Sequence, residues 1–302
     1  MNRMSRREFS SCVAALAAGA LFPPRVSGAE PGIVTRPIPH SGERLPAVGL
    51  GTARVFDVGD DPARRAALAE VLRELVAGGG SIIDTATSYG SAEAVVGDLV
   101  AQAGLRKRVF IATKLEDADA DELRGSLARL RTAQVDLLQL HNVRDPKRDL
   151  APFRAWKTEG ACRYVGITST FERDYAAIEA VLARERPDFL EIDYSIDDRS
   201  AERRLLPLAA ETGAAVLTAL PFGRGRLFRA VRGKPLPDWA NEFDAESWAQ
   251  FFLKFLLGNP AVTAVIPGTS SAAHMRDNLG AMRGRLPDAA QRRRMVALIE
   301  SL

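Results

Sequence analysis

From about residue 44 onward the chain alternates short apolar runs with amphipathic segments, eight times over. The apolar runs are 45–52 (LPAVGLGT), 81–86 (SIIDTA), 109–115 (VFIATKL), 135–142 (VDLLQLHN), 164–170 (YVGITST), 189–195 (FLEIDYS), 215–223 (AVLTALPFG) and 262–269 (VTAVIPGT). Helix-like segments follow each run, the longest being 62–80, which three glycines end. Strands alternating with helices predict a parallel sheet with helical crossovers. Runs that stay apolar throughout belong to strands covered on both faces. Eight such units in roughly 250 residues predict an α/β fold, a (β/α)8 TIM barrel forming a single domain over residues 29–302. An open doubly wound sheet is the structural competitor. It would carry a G-x-G-x-x-G turn after its first strand, whereas this strand ends GLGTARV with no third glycine in register.

The first residues read differently. A basic start (Arg3, Arg6, Arg7), an apolar run from Val13 to Phe22 and small residues at Ser27, Gly28 and Ala29 follow one another. That order is the anatomy of a signal peptide, and the run is too short to anchor a membrane. SRREF, Ser5 to Phe9, resembles the twin-arginine export motif. The expectation is a signal over residues 1–28 or 1–29, passage through the Tat translocon, a periplasmic mature protein and no stable membrane insertion. Arg3, Arg6, Arg7 and Arg25 against Glu8 account for the excess of basic residues, so the remainder is balanced. No basic stripe then points to nucleic acid. Of the two cysteines, Cys12 lies in the signal. Cys162 is left alone, without an intrachain disulfide partner, and is read as a small buried hydrophobe.

In a (β/α)8 barrel the active site forms where strands end at the C-terminal face. Asp84 ends the second run and Tyr89 follows in its loop; Lys114 is near the end of the third, and His141 ends the fourth. A phenol with an ordinary pKa near ~10 is a poor acid at neutral pH. An ammonium beside it, here Lys114, lowers that value. Asp84 can pair with Lys114, and His141 can donate to a substrate oxygen or tune the proton transfer. Singly, each residue has a plainer reading: Asp84 as a helix cap, Tyr89-Gly90 as a turn, Lys114 on the surface and His141 as structural. Glu93 reads as a first-turn helix residue rather than a catalyst. Together, at successive strand ends, the four suit protonation of a carbonyl oxygen.

The motifs GLGT, DTATSYGSAEAVVG, ATKLE, LLQLHN, VGITST and VIPGTSSAAHMRDN, in that order, resemble the aldo-keto reductase family over essentially the whole mature chain. The resemblance implies a Tyr general acid at Tyr89, a Lys–Asp pair at Lys114 and Asp84, and a His at His141. It also implies NADPH as cofactor, with NADH as the alternative, a small carbonyl substrate and no metal. Family cofactor positions map onto Gly51 and Thr52, onto Thr168 and Ser169 where the family has Ser-Asn, and onto Glu191 where it has Gln. Leu220, Phe222, Gly223 and Arg224 fall on the pyrophosphate loop. Ala219 stands where an aromatic often stacks on the nicotinamide, with Phe222 or the Trp239 loop as substitutes. On the adenine side, Gly268 and His274 replace the family's Lys and Arg. Thr269, Ser270 and Ser271 can hold phosphate through hydroxyl and backbone N–H groups. Asn278 matches the family's adenine contact, and Arg276 either reaches the phosphate or forms a surface ion pair.

Pocket walls are expected from Val55, Phe56, Tyr89, Leu115, Asn142, Phe228, Trp239 and Phe243. Some relatives carry a long C-terminal loop that narrows the pocket, and the few residues after the last predicted helix lead to the expectation of an open site. The leading function is NAD(P)H-dependent reduction of aldehydes or ketones. Because free NADPH is not expected outside the cytoplasm, two alternatives stand beside it. One is an exported binding or sensor protein that holds a dinucleotide. The other is an enzyme that uses a tightly bound cofactor for internal redox on a sugar.

Overall fold

The computed structural model describes residues 32–302; the expected signal peptide and its cleavage point lie outside them. Eight strands run parallel in sequence order: β1 Leu50–Gly51, β2 Ile82–Asp84, β3 Phe110–Leu115, β4 Val135–Leu140, β5 Cys162–Ser169, β6 Phe189–Asp193, β7 Ala215–Ala219 and β8 Ala264–Val265. Bridges Val48 to Val265 and Gly51 to Gly268, both parallel, join the two ends. The bonds Gly49 N to Val265 O (2.8 Å), Val265 N to Ala47 O (2.9 Å) and Gly51 N to Pro267 O (3.1 Å) close the ring. The strand order of the expected barrel therefore holds.

The closing seam explains two glycines of the first apolar run. A Cβ on Gly49 would sit 2.8 Å from the Ile82 Cβ, and one on Gly51 would sit 2.9 Å from the Ile266 carbonyl oxygen. Neither clash is relieved without moving backbone or a packed side chain.

Helices α1 Pro62–Ala77, α2 Ala92–Gln102, α3 Ala120–Arg129, α4 Ala151–Thr158, α5 Tyr175–Glu185 and α6 Leu205–Thr212 cover the outside. α7 Arg226–Ala230, α8 Trp248–Leu257, α9 Ala272–Gly280 and α10 Ala289–Glu300 follow. Caps set their starts: Asp61 accepts from Arg64 N ahead of Pro62, and Ser247 accepts from Gln250 N.

Side chains alternate between two cores, as strand geometry demands. Ile83, Ile111, Leu138, Val165 and Leu190 join the large core beneath the helices. Ile82, Phe110, Leu137, Tyr164 and Phe189 fill the barrel interior. A hairpin the sequence pattern did not reveal, Thr35–Pro37 with Arg44–Pro46, plugs the lower end; Ile38 and Leu45 join the interior cluster there. Above this apolar floor the inward positions turn polar, and these build the site.

Glu93 is the first-turn helix residue expected, in α2. It is buried and accepts from Thr113 Oγ1 (2.6 Å), Ser126 Oγ (2.5 Å) and Arg129 Nε (2.8 Å), tying α2 to β3 and α3. Cys162 is a buried free thiol, and burial pushes its pKa up to about 12.

Candidate active site

Period-two alternation aims Asp84, Lys114, Gln139 and Glu191 into the barrel, each two residues beyond an interior apolar side chain: Ile82, Ala112, Leu137 and Phe189. His141 is the next inward position after Gln139. Asp84, Tyr89, His141 and Glu191 line one cavity of ≈ 710 Å³ at the C-terminal ends of the strands, and Lys114 lies buried directly beneath.

Lys114 is the hub. Its Nζ donates to Asp84 Oδ1 and Oδ2 (2.6 Å each) and to the Thr85 carbonyl (3.0 Å), and pairs with Glu191 Oε1 at 3.3 Å. Gln139 Nε2 donates to the other Glu191 oxygen at 2.6 Å. Burial disfavours the ammonium, but the charges of Asp84 and Glu191 outweigh it and hold Lys114 well above the ordinary lysine range. Burial, followed by the charge of Glu191, pushes Asp84 up against the pull of Lys114. Two buried carboxylates thus share one ammonium.

Tyr89 sits over this hub, with Lys114 Nζ 5.2 Å from its ring centroid. Its pKa is pushed up to about 12, first by burial and further by Asp84 and Glu191; the charge of Lys114 opposes them. Lys114 does pull the phenol down, as expected, by its charge and by hydrogen bonding, but burial together with the two carboxylates exceeds that pull. The turn after Tyr89 is pinned by Asp57, which accepts from Ser91 N and Oγ (2.9 Å each).

His141 meets Tyr89 edge-on, with ring centroids 5.9 Å apart. Its Nδ1 lies 2.5 Å from Glu116 Oε1. A carboxylate only accepts, so Nδ1 carries the proton and the neutral ring offers the lone pair of Nε2. Burial, then the charge of Lys114, lowers the pKa of His141. In that state, donation from Nε2 requires the imidazolium.

The expected cofactor positions divide. Gly51, Glu191, Ala219, Leu220, Phe222, Arg224 and Gly268 line the cavity. Gly223 lines the adjoining cleft with Arg224. Leu220, Gly223, Arg224 and Gly225 all have positive φ, so the loop turns tightly, and among the described residues Arg224 makes no ion pair. Thr168 is buried beside Glu191 in register.

Other positions stand away from the cavity lining or have partners of their own. Thr52 is a brace: its N (3.0 Å) and Oγ1 (2.8 Å) donate to the Asp84 carbonyl. Ser169 faces away, because neighbours on a strand point oppositely, and its Oγ donates to Asp174 at 2.8 Å. Thr269 Oγ1 accepts from Ser271 N (3.1 Å), while Ser270 and His274 are exposed at the start of α9. Arg276 pairs with Glu74 on α1, the surface alternative. Asn278 is buried on α9, outside the cavity lining.

Val55, Tyr89, Asn142 and Phe228 do form walls. Phe56 and Leu115 are core, and Trp239 and Phe243 pack on Phe251 of α8, with ring centroids 5.7 and 5.8 Å from it. Phe222 packs on Phe228 at 4.7 Å. Arg54, Ser88 and Phe171 line the cavity without having been singled out. Glu116 and Gln139 were overlooked as well, although each stands two residues from a recognised inward residue.

The sequence profile of the aldo/keto reductase family matches residues 47–298. The chain belongs to this family. It is 28% identical over 264 residues to the methylglyoxal reductase YeaE of Escherichia coli (strain K12), covering 83% of this chain and 91% of that one. An uncharacterized oxidoreductase, YrpG of Bacillus subtilis (strain 168), is 26% identical over 298 residues, covering 80% and 89%. Among solved structures, an aldo-keto reductase from Klebsiella pneumoniae in complex with NADPH superposes with a TM-score of 0.72 at 25% identity, covering 88% of this chain and 96% of that one. A second Klebsiella pneumoniae aldo/keto reductase, with NADP and acetate, gives 0.71 at 26% identity, covering 85% and 93%. Family membership makes the chain an oxidoreductase, and the fold of these relatives is the closed barrel described above.

Proposed function

We propose that the protein reduces a small aldehyde or ketone with NADPH, Tyr89 giving its proton to the carbonyl oxygen. The observation that carries this reading is the placement of Tyr89, His141 and the Lys114–Asp84 pair around one cavity that has an apolar ledge of Ala219, Leu220 and Phe222. The residues fit a dinucleotide. Gly51 and Gly268 line the cavity where the seam lets their backbones run close together, and the Arg224 loop offers a pyrophosphate a cation that makes no ion pair among the described residues. When bound, the cofactor supplies hydride to the carbonyl carbon.

The chain's own residues do the rest. Tyr89 keeps its proton at neutral pH and can release it to an oxygen that gains charge as hydride arrives. Lys114, held charged by its carboxylates, stabilises the phenolate left behind. Neutral His141, with its tautomer set by Glu116, accepts through Nε2 and orders the hydroxyls at the mouth. Phe222 and Phe228 shield the ledge from water, which strengthens each of these interactions.

The test is titration of residues 30–302, stripped of nucleotide, with NADPH and NADH, followed by turnover of a carbonyl panel that includes methylglyoxal. Saturable binding and carbonyl-dependent oxidation of NADPH are expected. Nucleotide released only on denaturation, with no turnover of added carbonyls, would replace this reading with a dinucleotide-holding protein or an internal-redox enzyme. Failure to bind either nucleotide would end it.

The reading includes export through the twin-arginine route, supported by the order of basic, apolar and small residues before Glu30. A variant with Arg6→Lys and Arg7→Lys is expected to accumulate in the cytoplasm, whereas the parent fractionates with the periplasm. Equal distribution of the two would remove export from the proposal.

A further inference from the structure

Seven non-glycine residues of the described chain have left-handed backbone. Three of them, Arg131, Arg186 and Asp244, stand at or just past the end of a helical segment, where that conformation is an ordinary way to stop a helix. The other four, Arg54, Asn142, Leu220 and Arg224, all line the one cavity that holds Tyr89 and His141. Such backbone is costly without glycine, and residues that keep it gather where a site needs its side chains placed. Leu220 and Arg224 belong to the loop after β7 and to the dinucleotide. Arg54 and Asn142 stand on the loops after β1 and β4.

Among the described residues the Arg54 guanidinium makes no ion pair and no hydrogen bond, although Asp57, Asp84 and Glu191 line the same cavity. Each of those acids is already engaged. Asp84 and Glu191 are held by Lys114. Asp57 accepts from Ser91 N and Oγ, and these bonds, with the charge of Arg64, hold it below the ordinary aspartate range. Two cavity cations are left for ligands, Arg224 and Arg54, and they stand on different loops. The loop of Arg54 runs on to Asp57, whose Cγ lies 2.5 Å from where a Cβ on Gly90 would stand. This loop is thus packed against the turn that carries Tyr89, the side of the cavity where the carbonyl is protonated.

We propose that Arg54 is a specificity residue that binds the carboxylate of a carboxyl-bearing aldehyde or ketone, so that the protein prefers an oxo acid to an uncharged carbonyl compound of the same size. The proposal rests on the reading of Tyr89 as the acid at this cavity and names the substrate class for it. A guanidinium presents its donors as a fork that matches the two oxygens of a carboxylate. One guanidinium balances one carboxylate charge, whereas a phosphate ester, with nearly two, would meet a single cation beside three acids.

The test compares kcat/KM, with NADPH, for two acids that place the charge at different distances from the carbonyl: glutaric semialdehyde and para-carboxybenzaldehyde. Each is measured beside its methyl ester, which removes the charge and little else. The wild type is expected to favour the acid in at least one pair. Arg54→Gln is expected to lower that acid-to-ester ratio about 10- to 100-fold, mainly through KM, the worth of a hydrogen bond to a charged group. Arg54→Lys keeps the charge without the fork and should retain part of the preference. Arg54 is exposed, so neither substitution disturbs packing.

An acid-to-ester ratio equal in wild type and Arg54→Gln would overturn the proposal, as would a wild type that favours both esters. Weaker NADPH binding by Arg54→Gln in a fluorescence titration, with acid and ester turnover falling together, would assign the guanidinium to the cofactor and overturn it as well. Absence of carbonyl turnover in every form would remove the reductase reading, and the carboxylate site is then decided by calorimetric titration with para-carboxybenzaldehyde. Saturable binding that Arg54→Gln weakens by the same factor would sustain the site; equal or absent binding would end it.

Discussion

A Tyr89→Phe variant is expected to keep its fold and its affinity for NADPH while turnover falls roughly 10²- to 10⁴-fold, the range a positioned general acid contributes. The substitution removes one oxygen and nothing the fold depends on. Lys114, whose hydrogen bonding is among the influences on the phenol, keeps its bonds to Asp84 and the Thr85 carbonyl when the hydroxyl goes, so its charge is not stranded. The ring remains to meet His141 edge-on and to pack against the core. A fall in kcat without a fall in thermal stability or nucleotide affinity therefore isolates proton donation. Steady-state kinetics with one carbonyl from the panel, beside a fluorescence titration of NADPH, make the measurement. Unchanged kcat would assign the proton to another group, with solvent entering past Ser88 the first candidate.

Much of this site was legible because a strand has a period of two. Lys114, His141 and Asp84 each stand at or near the end of an apolar run, and the rule that barrel sites lie at strand ends brings them to one mouth. The same rule, applied two residues further, would have reached Glu116 above Lys114 and Gln139 below His141. It also forbids Thr168 and Ser169 from facing the cavity together, and Ser169 does turn out to Asp174.

Other features were not legible. The hairpin that plugs the barrel has three-residue strands bounded by Pro37 and Pro46, too short for a periodicity. Neighbours named from sequence give the sign of each influence on Tyr89 but not its depth, and depth decides: burial overrides the ammonium. Glu191 reads in sequence as a replaced nicotinamide contact. Only the placement of β6 beside β5 and within reach of β3 makes it a second counter-ion of Lys114.

The largest stability effect is expected from Lys114→Met. Methionine keeps the buried stem's volume, so packing is little changed and the loss is electrostatic. Asp84 and Glu191 are then left in the barrel without their shared cation. Breaking a buried pair by removing one partner costs about 3–5 kcal/mol, and denaturant unfolding at pH 7.5 should show a loss of that order. The cost should depend on pH in a defined direction. In the wild type, burial and the charge of Glu191 already raise Asp84, and the opposing influences named for it both come from Lys114. Without the lysine, its folded-state pKa rises further above the unfolded value of ~3.9. A group raised in the folded state binds its proton more tightly there, so stability is retained below the unfolded value and lost as pH climbs through the folded one. The deficit of Lys114→Met relative to wild type should thus be smaller at pH 5 than at pH 7.5. A deficit independent of pH would mean that the two carboxylates find another counter-charge, or that water reaches them, once the ammonium is gone.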